Sequence, residues 1–337
     1  MRALITGISG FAGSHLADYC LARTGVDVIG MVRSRARLGQ VAPVASRIQL
    51  VEADVRDAPL VERAVEQAQP DVIFHLAGQP YVPRAFEDPA GTFQDNAIGQ
   101  INLIRAILRH RPQARLLVVG SSTEYGMVRP DENPVHEDVP LRPTDPYAVS
   151  KVAQDLLGFQ YFISHGLQAV RVRPFNHIGP RQDDVFVTSR FARQIAEIEA
   201  GVAEPALGVG NLSSVRDFTD VRDMVRAYYL AATMGESGTV YNLGSGRGRR
   251  IEEILGLLAA FSKVHFVIRE ESAQYRPVDV PVLVCNGARF AQRTNWEPQV
   301  PLERTLLDLL DYWRERVAAN KRAAEAAAPA TASLPVS

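Results

Sequence analysis

The sequence predicts an α/β fold: a doubly wound parallel sheet with helices on both faces, joined to a smaller mixed α/β lobe. Two observations carry this prediction. Up to about Phe175, short apolar runs alternate with longer amphipathic stretches, a pattern typical of parallel strands connected by helices. After Phe175, proline, glycine and charged residues become denser and the apolar runs become shorter.

The first half of the chain contains the elements of the predicted sheet. Its strands are the short apolar runs Ala3–Thr6, Val26–Val32, Ile48–Ala53, Val72–Leu76, Leu116–Gly120 and Ala169–Val172. Its helices show apolar residues at helical spacing and cover Phe11–Thr24, Leu60–Gln69, Phe93–His110 and Pro146–His165. Alternation of apolar strands with helices along most of this region favours parallel strands.

The second half contains further helical patterns, at Ser189–Ala200, Val221–Met234, Ile251–Phe261 and Leu302–Ala319. We expect residues 1–175 to form one domain, to which residues 216–244 return. Residues 176–215 and 245–320 are expected to form the smaller lobe. Residues 321–337 are rich in alanine and lack apolar periodicity, so a disordered tail is expected there.

The charge balance limits the classes of partner. Lysine and arginine number 37 and aspartate and glutamate 38, so the field that attracts nucleic acid or an acidic membrane is weak. No apolar run approaches the roughly 20 residues that span a bilayer. Two cysteines, Cys20 and Cys285, are too few for a disulfide framework or a cysteine-based zinc site. We therefore expect a soluble cytoplasmic protein with no metal, nucleic-acid or membrane partner.

Three glycines follow the first strand at the spacing G-x-x-G-x-x-G: Gly7, Gly10 and Gly13. Gly7 suits a tight turn, Gly10 lets the backbone approach a pyrophosphate, and Gly13 allows the helix to pack closely on the strand. Phe11 and Ala12 begin that helix, whose free N–H groups favour phosphate. At the first strand–helix junction, this pattern predicts a dinucleotide site of the Rossmann type.

The second strand indicates which dinucleotide binds. An NAD site usually has an acid near the end of this strand, where it accepts a hydrogen bond from the ribose 2′-hydroxyl. Here Val32 is followed by Arg33 and Arg35, with no acid between them. Because a guanidinium suits a 2′-phosphate, we predict NADPH rather than NADH. A solvated basic loop without a ligand is the alternative.

Two further strand ends fit the same site, because ligands of such folds bind at the carboxyl ends of the strands. The third predicted strand is followed by a pair of residues expected to contact the adenine, and the fourth ends in residues expected to line the adenosine side. The residues are Asp54, Val55, Leu76, Ala77 and Gly78.

A catalytic set is predicted from helix geometry. Tyr147 and Lys151 are four residues apart and lie on one helix face. An ammonium beside a phenol lowers the phenol pKa, so we expect Tyr147 to exchange a proton with a carbonyl or alcohol oxygen. Ser121 follows the Leu116–Gly120 strand and is expected to bind the reacting oxygen, with Ser122 and Thr123 beside it. The alternative is that Ser121 only caps the turn that follows it.

Together, the glycine loop, Ser121, Tyr147 and Lys151 resemble the extended short-chain dehydrogenase/reductases that act on nucleotide sugars. The resemblance extends to about Asn320, and further segments are similar to the branch that handles GDP-sugars. Those segments are Arg173–Pro180, Phe186–Thr188, Gly210–Leu212, Val215–Asp223 and Tyr241–Gly246. The resemblance implies NADPH-dependent reduction at C4 of GDP-4-keto-6-deoxy-D-mannose to GDP-D-rhamnose. The sequence does not indicate which face of the carbonyl receives the hydride, so a 6-deoxy-D-talose product is the alternative. The resemblance also implies a homodimer formed through the helices Phe93–His110 and Pro146–His165.

The resemblance implies further binding residues. His177 is expected beside the nicotinamide, and Tyr147 and Lys151 are expected to contact the cofactor as well. Arg216 and Arg276 match positions that contact the diphosphate, although Arg216 could instead pair locally with Asp217. The substrate-binding set implied by the resemblance is Ser122, Thr123, Asn176, Val187, Arg190, Asn211, Arg216, Arg276 and Asp279.

Three other functions stay open. In the family, a GDP-mannose 4,6-dehydratase has its acidic residues three and two positions before the tyrosine of a Tyr-Gly pair. Counted back from Tyr125, these positions hold Ser122 and Thr123, and Glu124 lies one residue too late. In an extended segment that slip would turn Glu124 away from the sugar, which favours a reductase. A nucleotide-sugar 4-epimerase would keep NAD, against which Arg33 and Arg35 argue. A non-catalytic NADPH sensor would not need the catalytic set.

Overall fold

The computed structural model describes residues 1–271 and 279–327. Its main feature is a parallel sheet of seven strands in the order β3-β2-β1-β4-β5-β6-β10. The strands are β1 (Arg2–Thr6), β2 (Asp27–Val32), β3 (Gln49–Glu52), β4 (Val72–His75), β5 (Arg115–Val119), β6 (Ala169–Pro174) and β10 (Val240–Leu243). The predicted fold class is therefore confirmed, and β10 adds a strand that the apolar pattern did not separate.

Helices cover the two faces of this sheet. One face packs on α1 (Phe11–Leu21) and α8 (Val221–Met234), with Ile5, Phe74 and Val172 in the contact. The other packs on α2 (Ala58–Ala68) and α5 (Gly99–His110), with Leu4, Ile73 and Val118. Because Ile73 and Phe74 are neighbours on β4, the alternation of a pleated strand explains why both faces are apolar.

The remaining elements before the second half are short, with one exception. They are a 3₁₀ segment (Gly39–Arg47), α3 (Val82–Glu87), α4 (Pro89–Phe93) and a π-helical turn (Gln94–Ile98). The exception is α6 (Pro146–His165), which begins at the N-cap Asp145. The predicted helix Phe93–His110 is thus interrupted by a wider turn before α5, where Asn96 is buried and bonded to Ser150.

The described chain divides into two compact units. The first contains residues 1–177, 213–251 and 279–302. Besides the seven-stranded sheet, it has a small sheet in which β9 (Val215–Asp220) lies between β11 (Gly248–Arg250) and β13 (Val282–Leu283). It also contains α10 (Ala288–Thr294).

The second unit contains residues 178–212, 252–271 and 303–327. Its elements are α7 (Val187–Glu199), β8 (Ala206–Val209), most of α9 (Ile251–Ala260), β12 (Val267–Glu270), which pairs in parallel with β8, and most of α11 (Leu302–Ala327). The short strand β7 (Asn176–Ile178) lies where the chain passes from the first unit to the second.

The prediction of a disordered tail from residue 321 is wrong for its first part, because helix α11 includes these residues. The helix continues to Ala327, so residues 321–327 are helical where a tail was predicted. The reason is that alanine, lysine and glutamate have high intrinsic helix propensity, which extends a helix without an apolar face. The rest of the predicted tail lies outside the described residues. Within the described part of the chain, none of the helices has the length and apolar character needed to cross a membrane.

Candidate functional site

The glycine loop forms a tight cradle at the end of β1. Gly7 has a φ of +68°, and a Cβ there would lie 2.8 Å from the backbone nitrogen of Ala77. A Cβ on Gly13 would lie 2.3 Å from the Gly7 carbonyl oxygen. Helix α1 then begins after Gly10, which has no side chain to cap the first N–H groups. The cradle therefore presents free donors and no side-chain bulk, which fits a pyrophosphate.

The end of β4 is attached directly to this cradle. The Thr6 hydroxyl oxygen accepts hydrogen bonds from the backbone nitrogens of Leu76 and Ala77, both at 3.1 Å. Gly78 is equally confined, because a Cβ there would lie 2.6 Å from Oδ1 of Asn96. Three predicted cofactor residues thus lie beside the glycine loop, where the carboxyl ends of β1 and β4 meet.

The basic loop after β2 is exposed, as are both of its predicted cofactor residues, Arg33 and Arg35. The Arg35 guanidinium donates to the carbonyl oxygen of Leu50 at 2.7 Å, and its backbone nitrogen donates to Glu52 at 3.1 Å. These contacts hold Arg35 against β3. Glu52 is a residue that the sequence reasoning missed, because its approach depends on the β2–β3 pairing.

The predicted adenine contacts lie at the end of β3. Asp54 forms an ion pair with Arg56, in which Nη2 of Arg56 lies 2.7 Å from Oδ2 of Asp54. This hydrogen bond is the main reason that the pKa of Asp54 is lowered, so the group is a carboxylate at neutral pH. Val55 is buried, and a Cβ on Gly99 would lie 2.8 Å from its Cγ2. The sequence did not lead us to predict a role for Arg56, although Arg56 is only two residues from Asp54 and can therefore reach its carboxylate.

Ser121 and Tyr147 meet at the end of β5. Tyr147 lies in the first turn of α6, where Asp145 caps the helix by accepting from the Ala148 backbone nitrogen at 2.8 Å. The Ser121 side chain is close enough to the Tyr147 phenol to influence its pKa by hydrogen bonding. The Ser121 oxygen also accepts from the Thr123 hydroxyl at 2.9 Å. Two predicted catalytic groups, 26 positions apart in sequence, are therefore brought close together.

Lys151 is close to Tyr147 but is not bonded to its oxygen. Its ammonium nitrogen lies 6.0 Å from the Tyr147 ring centroid and donates to the Val119 carbonyl oxygen at 2.8 Å and to Oε1 of Gln154 at 2.7 Å. Burial lowers the pKa of Lys151 to about 8. Gln154 is a further site residue that the sequence reasoning missed; it lies one turn beyond Lys151 on the same face of α6.

The predicted lowering of the Tyr147 pKa is wrong. Burial raises the pKa of Tyr147 above its usual value, and the hydrogen bond with Ser121 opposes this only in part. The carboxyl groups of Glu124 and Asp145 raise it further. The physical reason is desolvation: a buried phenolate loses hydration that an ammonium bonded elsewhere does not replace. The phenol is therefore protonated at neutral pH.

Glu124 is fully buried beneath the catalytic set. The segment Ser122–Tyr125 is a 3₁₀ turn, not an extended strand, so the predicted alternation of side chains does not apply. In this turn the Glu124 carboxyl accepts from the Ser121 backbone nitrogen at 2.7 Å and from Nε of Arg173 at 3.1 Å. It points into the protein interior for a different reason from the one expected: it caps the turn and pairs with Arg173.

The expected nicotinamide side is marked by stacked rings. His177 lies parallel to Phe11, with 5.8 Å between the ring centroids and 5° between the ring planes. Burial lowers the pKa of His177, so it is neutral at physiological pH. Asn176 is exposed beside it, whereas Ser122 is buried behind Ser121. The predicted contact residues Phe11 and His177 are thus brought together.

Two predicted substrate residues of the first unit bind each other. Nη2 of Arg216 lies 2.5 Å from Oδ1 of Asp279, and the Ser214 hydroxyl donates to the other oxygen of that carboxylate. The alternative of an Arg216–Asp217 pair is wrong. Asp217 lies on the opposite face of β9. Its carboxylate instead accepts hydrogen bonds from the backbone nitrogens of Ser245, Gly246 and Cys285. The predicted residue Arg276 lies outside the described residues.

Three predicted substrate residues belong to the second unit. Val187 begins α7 and is exposed, and Asn211 is half-buried. Arg190 donates to the carbonyl oxygens of Asp184 and Val185, at 3.3 and 3.2 Å. It lines an open cavity of about 330 Å³ within this unit. The lining residues are Asp184, Val185, Arg190, Arg193, Gln194 and Glu197. Among the described residues of the whole chain, no group of His, Cys, Asp and Glu side chains is arranged to hold a metal ion.

The chain is similar to known proteins over nearly its whole length. The chain is 37% identical to GDP-6-deoxy-D-mannose reductase of Pseudomonas aeruginosa, over 94% of this chain and 98% of that protein. The structure of RMD from P. aeruginosa complexed with NADPH has a TM-score of 0.83 and 34% identity, and covers 94% of this chain and 100% of that one.

A second solved structure shows how widely this fold is shared. UDP-glucose 4-epimerase of Thermus thermophilus in complex with NAD also has a TM-score of 0.83, with 30% identity over 93% of this chain and 99% of that one. A family model described as GDP-mannose 4,6 dehydratase matches residues 4–309 of this chain. These matches confirm the resemblance inferred from the motifs: the chain belongs to the GDP-mannose 4,6-dehydratase family of extended short-chain dehydrogenase/reductases.

Proposed function

We propose that this protein is an NADPH-dependent reductase that converts GDP-4-keto-6-deoxy-D-mannose to GDP-D-rhamnose. The observation that carries the proposal is the 37% identity, over nearly the full length of both chains, to a GDP-6-deoxy-D-mannose reductase. The site geometry fits this proposal in two ways: Tyr147 suits the role of proton donor, and the carboxyl groups near the site argue against a dehydratase.

The described residues fit a dinucleotide. The glycine cradle has no room for a Cβ at Gly7 or Gly13, and the first turn of α1 offers uncapped N–H groups for phosphates. Arg33 supports NADPH because of its position. Its exposed guanidinium lies near enough to Asp54 to help lower the pKa of that carboxyl, and Asp54 is a residue expected to contact the adenine. In this proposal Arg33 and Arg35 receive the 2′-phosphate, while His177 and Lys151 hold the nicotinamide half. When bound, NADPH supplies the hydride.

Tyr147 fits the role of proton donor. A reduction creates an alkoxide at C4, which needs a proton donor. Burial raises the Tyr147 pKa, so the phenol holds its proton at neutral pH, and Ser121 can orient the carbonyl through its hydroxyl. Lys151, with its pKa near 8, supplies a positive charge at neutral pH.

The carboxyl groups near the site do not support elimination of water. The positions where a dehydratase carries its acids hold Ser122 and Thr123. Glu124 is fully buried and accepts from Ser121 and Arg173, so its carboxyl is engaged inside the protein. Because Ser122 and Thr123 are not acids and Glu124 is buried, these three positions provide no base for removal of the C5 proton.

We propose that the first unit binds the dinucleotide and that the second unit contributes to binding of the GDP-sugar. Arg216 is proposed to bind the diphosphate. Asp279 fixes the position of its guanidinium through an ion pair in which Nη2 lies 2.5 Å from Oδ1. The full proposed substrate set is Ser122, Thr123, Asn176, Val187, Arg190, Asn211, Arg216, Arg276 and Asp279. Guanine preference is proposed on the similarity to the relative that acts on a GDP-sugar.

We also propose a homodimer. Helix α6 exposes Val149, Leu156, Phe159 and Ile163, with Ile163 66% exposed. Their spacings of seven, three and four residues place them on one helix face. Ile98, just before α5, is exposed as well. A contiguous apolar stripe of this kind favours association with a second copy, as the resemblance implied. A cytoplasmic location is proposed because the buried free thiols Cys20 and Cys285 suit a reducing compartment.

The test is a reaction with defined substrates. Purified protein is mixed with GDP-4-keto-6-deoxy-D-mannose and NADPH, absorbance at 340 nm is followed, and the product is identified by NMR. We expect one NADPH consumed for each GDP-D-rhamnose formed. Formation of a 4-keto sugar from GDP-mannose would indicate a dehydratase. Isomerisation of a nucleotide sugar without net NADPH consumption would indicate an epimerase, and either result would overturn the proposal.

A further inference from the structure

Helix α8 carries a buried tyrosine whose hydroxyl has no hydrogen-bond partner among the described residues. Tyr228 is 0% exposed, and its oxygen is one of the few buried side-chain polar atoms left unpartnered there. Buried tyrosine hydroxyls usually find a partner, because an unpaired donor has lost its hydration without compensation. A phenylalanine would fill the same space without this penalty, so the hydroxyl calls for an explanation.

The surroundings of Tyr228 place it at the proposed cofactor site. Its ring packs edge-to-face on His177, with 6.3 Å between the ring centroids. His177 in turn stacks on Phe11, which follows the glycine loop. The Tyr147 phenol is also close enough to add electrostatically to the rise that burial causes in the Tyr228 pKa. Tyr228 thus lies near both His177, proposed to hold the nicotinamide half, and Tyr147, the proposed proton donor.

The direction of the side chain agrees with this placement. A side chain on a helix leans toward the helix N-terminus. Tyr228 is the eighth residue of α8, so its hydroxyl lies over the first half of that helix, which begins immediately after β9. Its ring belongs to the same apolar core cluster as Ala231 and Ala232, so the hydroxyl is the one polar group that this side chain brings into the cluster.

We propose that Tyr228 is a further cofactor-binding residue, whose hydroxyl donates a hydrogen bond to an oxygen on the nicotinamide half of the bound dinucleotide. This inference rests on the proposed function insofar as the chain must bind NADPH. It adds a residue that no motif indicated, since a tyrosine inside an amphipathic helix is indistinguishable by pattern from a core residue.

The test compares two tyrosine-to-phenylalanine variants of the full chain. In Tyr228→Phe we expect the Kd for NADPH, measured by fluorescence titration, to rise about three- to ten-fold. The melting temperature without nucleotide should stay the same or rise, because an unpaired buried group is removed. The control is Tyr125→Phe. Tyr125 is equally buried, but its hydroxyl donates to Oδ1 of Asn242 at 2.7 Å. That variant should melt at a lower temperature and bind NADPH like the wild type.

The outcomes separate this inference from the proposed function. If wild-type protein does not bind NADPH, the proposed function fails before any variant is made. If wild type binds but Tyr228→Phe has the same Kd, the inference alone is overturned. It is also overturned if Tyr228→Phe lowers the melting temperature as much as Tyr125→Phe does, since the hydroxyl would then have a structural partner such as an internal water.

Discussion

The ammonium nitrogen of Lys151 lies 6.0 Å from the ring centroid of Tyr147 and donates its hydrogen bonds to Val119 and Gln154. The pair therefore shares a helix face, as its spacing predicts, but burial dominates the titration of both groups. The pKa of Tyr147 is raised and that of Lys151 is lowered to about 8. At neutral pH the site combines a neutral phenol with an ammonium, which is the state that a proton donor for a reduction requires.

The first prediction concerns the proton donor. Tyr147→Phe removes only the hydroxyl, so kcat for reduction of the 4-keto sugar should fall roughly 10²- to 10⁴-fold. The Kd for NADPH should change little. The matched control is Tyr161→Phe, which removes the same atom from a half-buried position on the same helix and should keep full activity. Unchanged turnover of Tyr147→Phe would remove this residue from the mechanism.

The second prediction concerns pH. Below about pH 8 Lys151 is an ammonium, and above it the charge is lost. We expect kcat/KM to fall about ten-fold per pH unit above pH 8, since one deprotonation removes the charge that holds the nicotinamide half. Lys151→Arg, which stays charged, should be less active but should lack this alkaline limb. A limb that persists in Lys151→Arg would assign the titration to another group.

The third prediction concerns Glu124. Burial, together with the neighbouring Asp155, raises the Glu124 pKa well above its usual range. Burial would raise the pKa of Asp155 as well, but Arg173 and Arg171 together lower it. Of the two carboxyl groups, Glu124 therefore holds its proton more readily than Asp155. Glu124→Gln keeps an acceptor for the Ser121 N–H and should be close to wild type in stability.

The Ala variant at this position should behave differently. Glu124→Ala leaves the buried Ser121 N–H unpaired, so the free energy of unfolding should fall by about 1–3 kcal/mol. Because Ser121 loses its support, kcat should fall more than KM rises. Urea denaturation and steady-state kinetics measure these effects, with the exposed Glu87→Ala as the control. An equal loss in the Gln and Ala variants would show that the charge of Glu124, not its acceptor, is needed.

The fourth prediction concerns the choice of cofactor. Arg33→Ala should raise the Kd for NADPH about ten-fold, because a charge-assisted hydrogen bond to the 2′-phosphate is lost. The Kd for NADH should be unchanged. Arg37→Ala, in the same exposed loop, is the control. A loss of the same size for both nucleotides would contradict a role in recognising the 2′-phosphate.

The fifth prediction concerns the apolar stripe of α6. Ile163→Asp places a charge where a partner helix would bury it, so the protein should elute as a monomer in size-exclusion chromatography with light scattering. Wild type should elute as a dimer. Val267→Asp, which changes a residue 58% exposed on β12 of the second unit, should remain dimeric. A monomeric wild-type protein would refute the proposed dimer.

The fold and the position of the site were accessible from local patterns. Apolar alternation predicted six strands of the seven-stranded sheet, and the spacing of Gly7, Gly10 and Gly13 predicted the cradle at the end of β1. Helix geometry placed Tyr147 and Lys151 on one face. These features depend on residues close in sequence, whose side-chain directions follow from the period of a helix or strand. The amino-acid sequence alone therefore determines these features.

Charge states and partners depended on contacts between distant segments. The raised pKa of Tyr147, the pairing of Arg216 with Asp279 and the inward direction of Glu124 each join residues from different elements. Tyr228 belongs to the same group, since only packing shows that its hydroxyl is buried beside His177. Desolvation depends on everything that surrounds a group, and no local pattern records those surroundings. Periodicity therefore specified which residues share a face, and three-dimensional packing set how they ionise and what they bind.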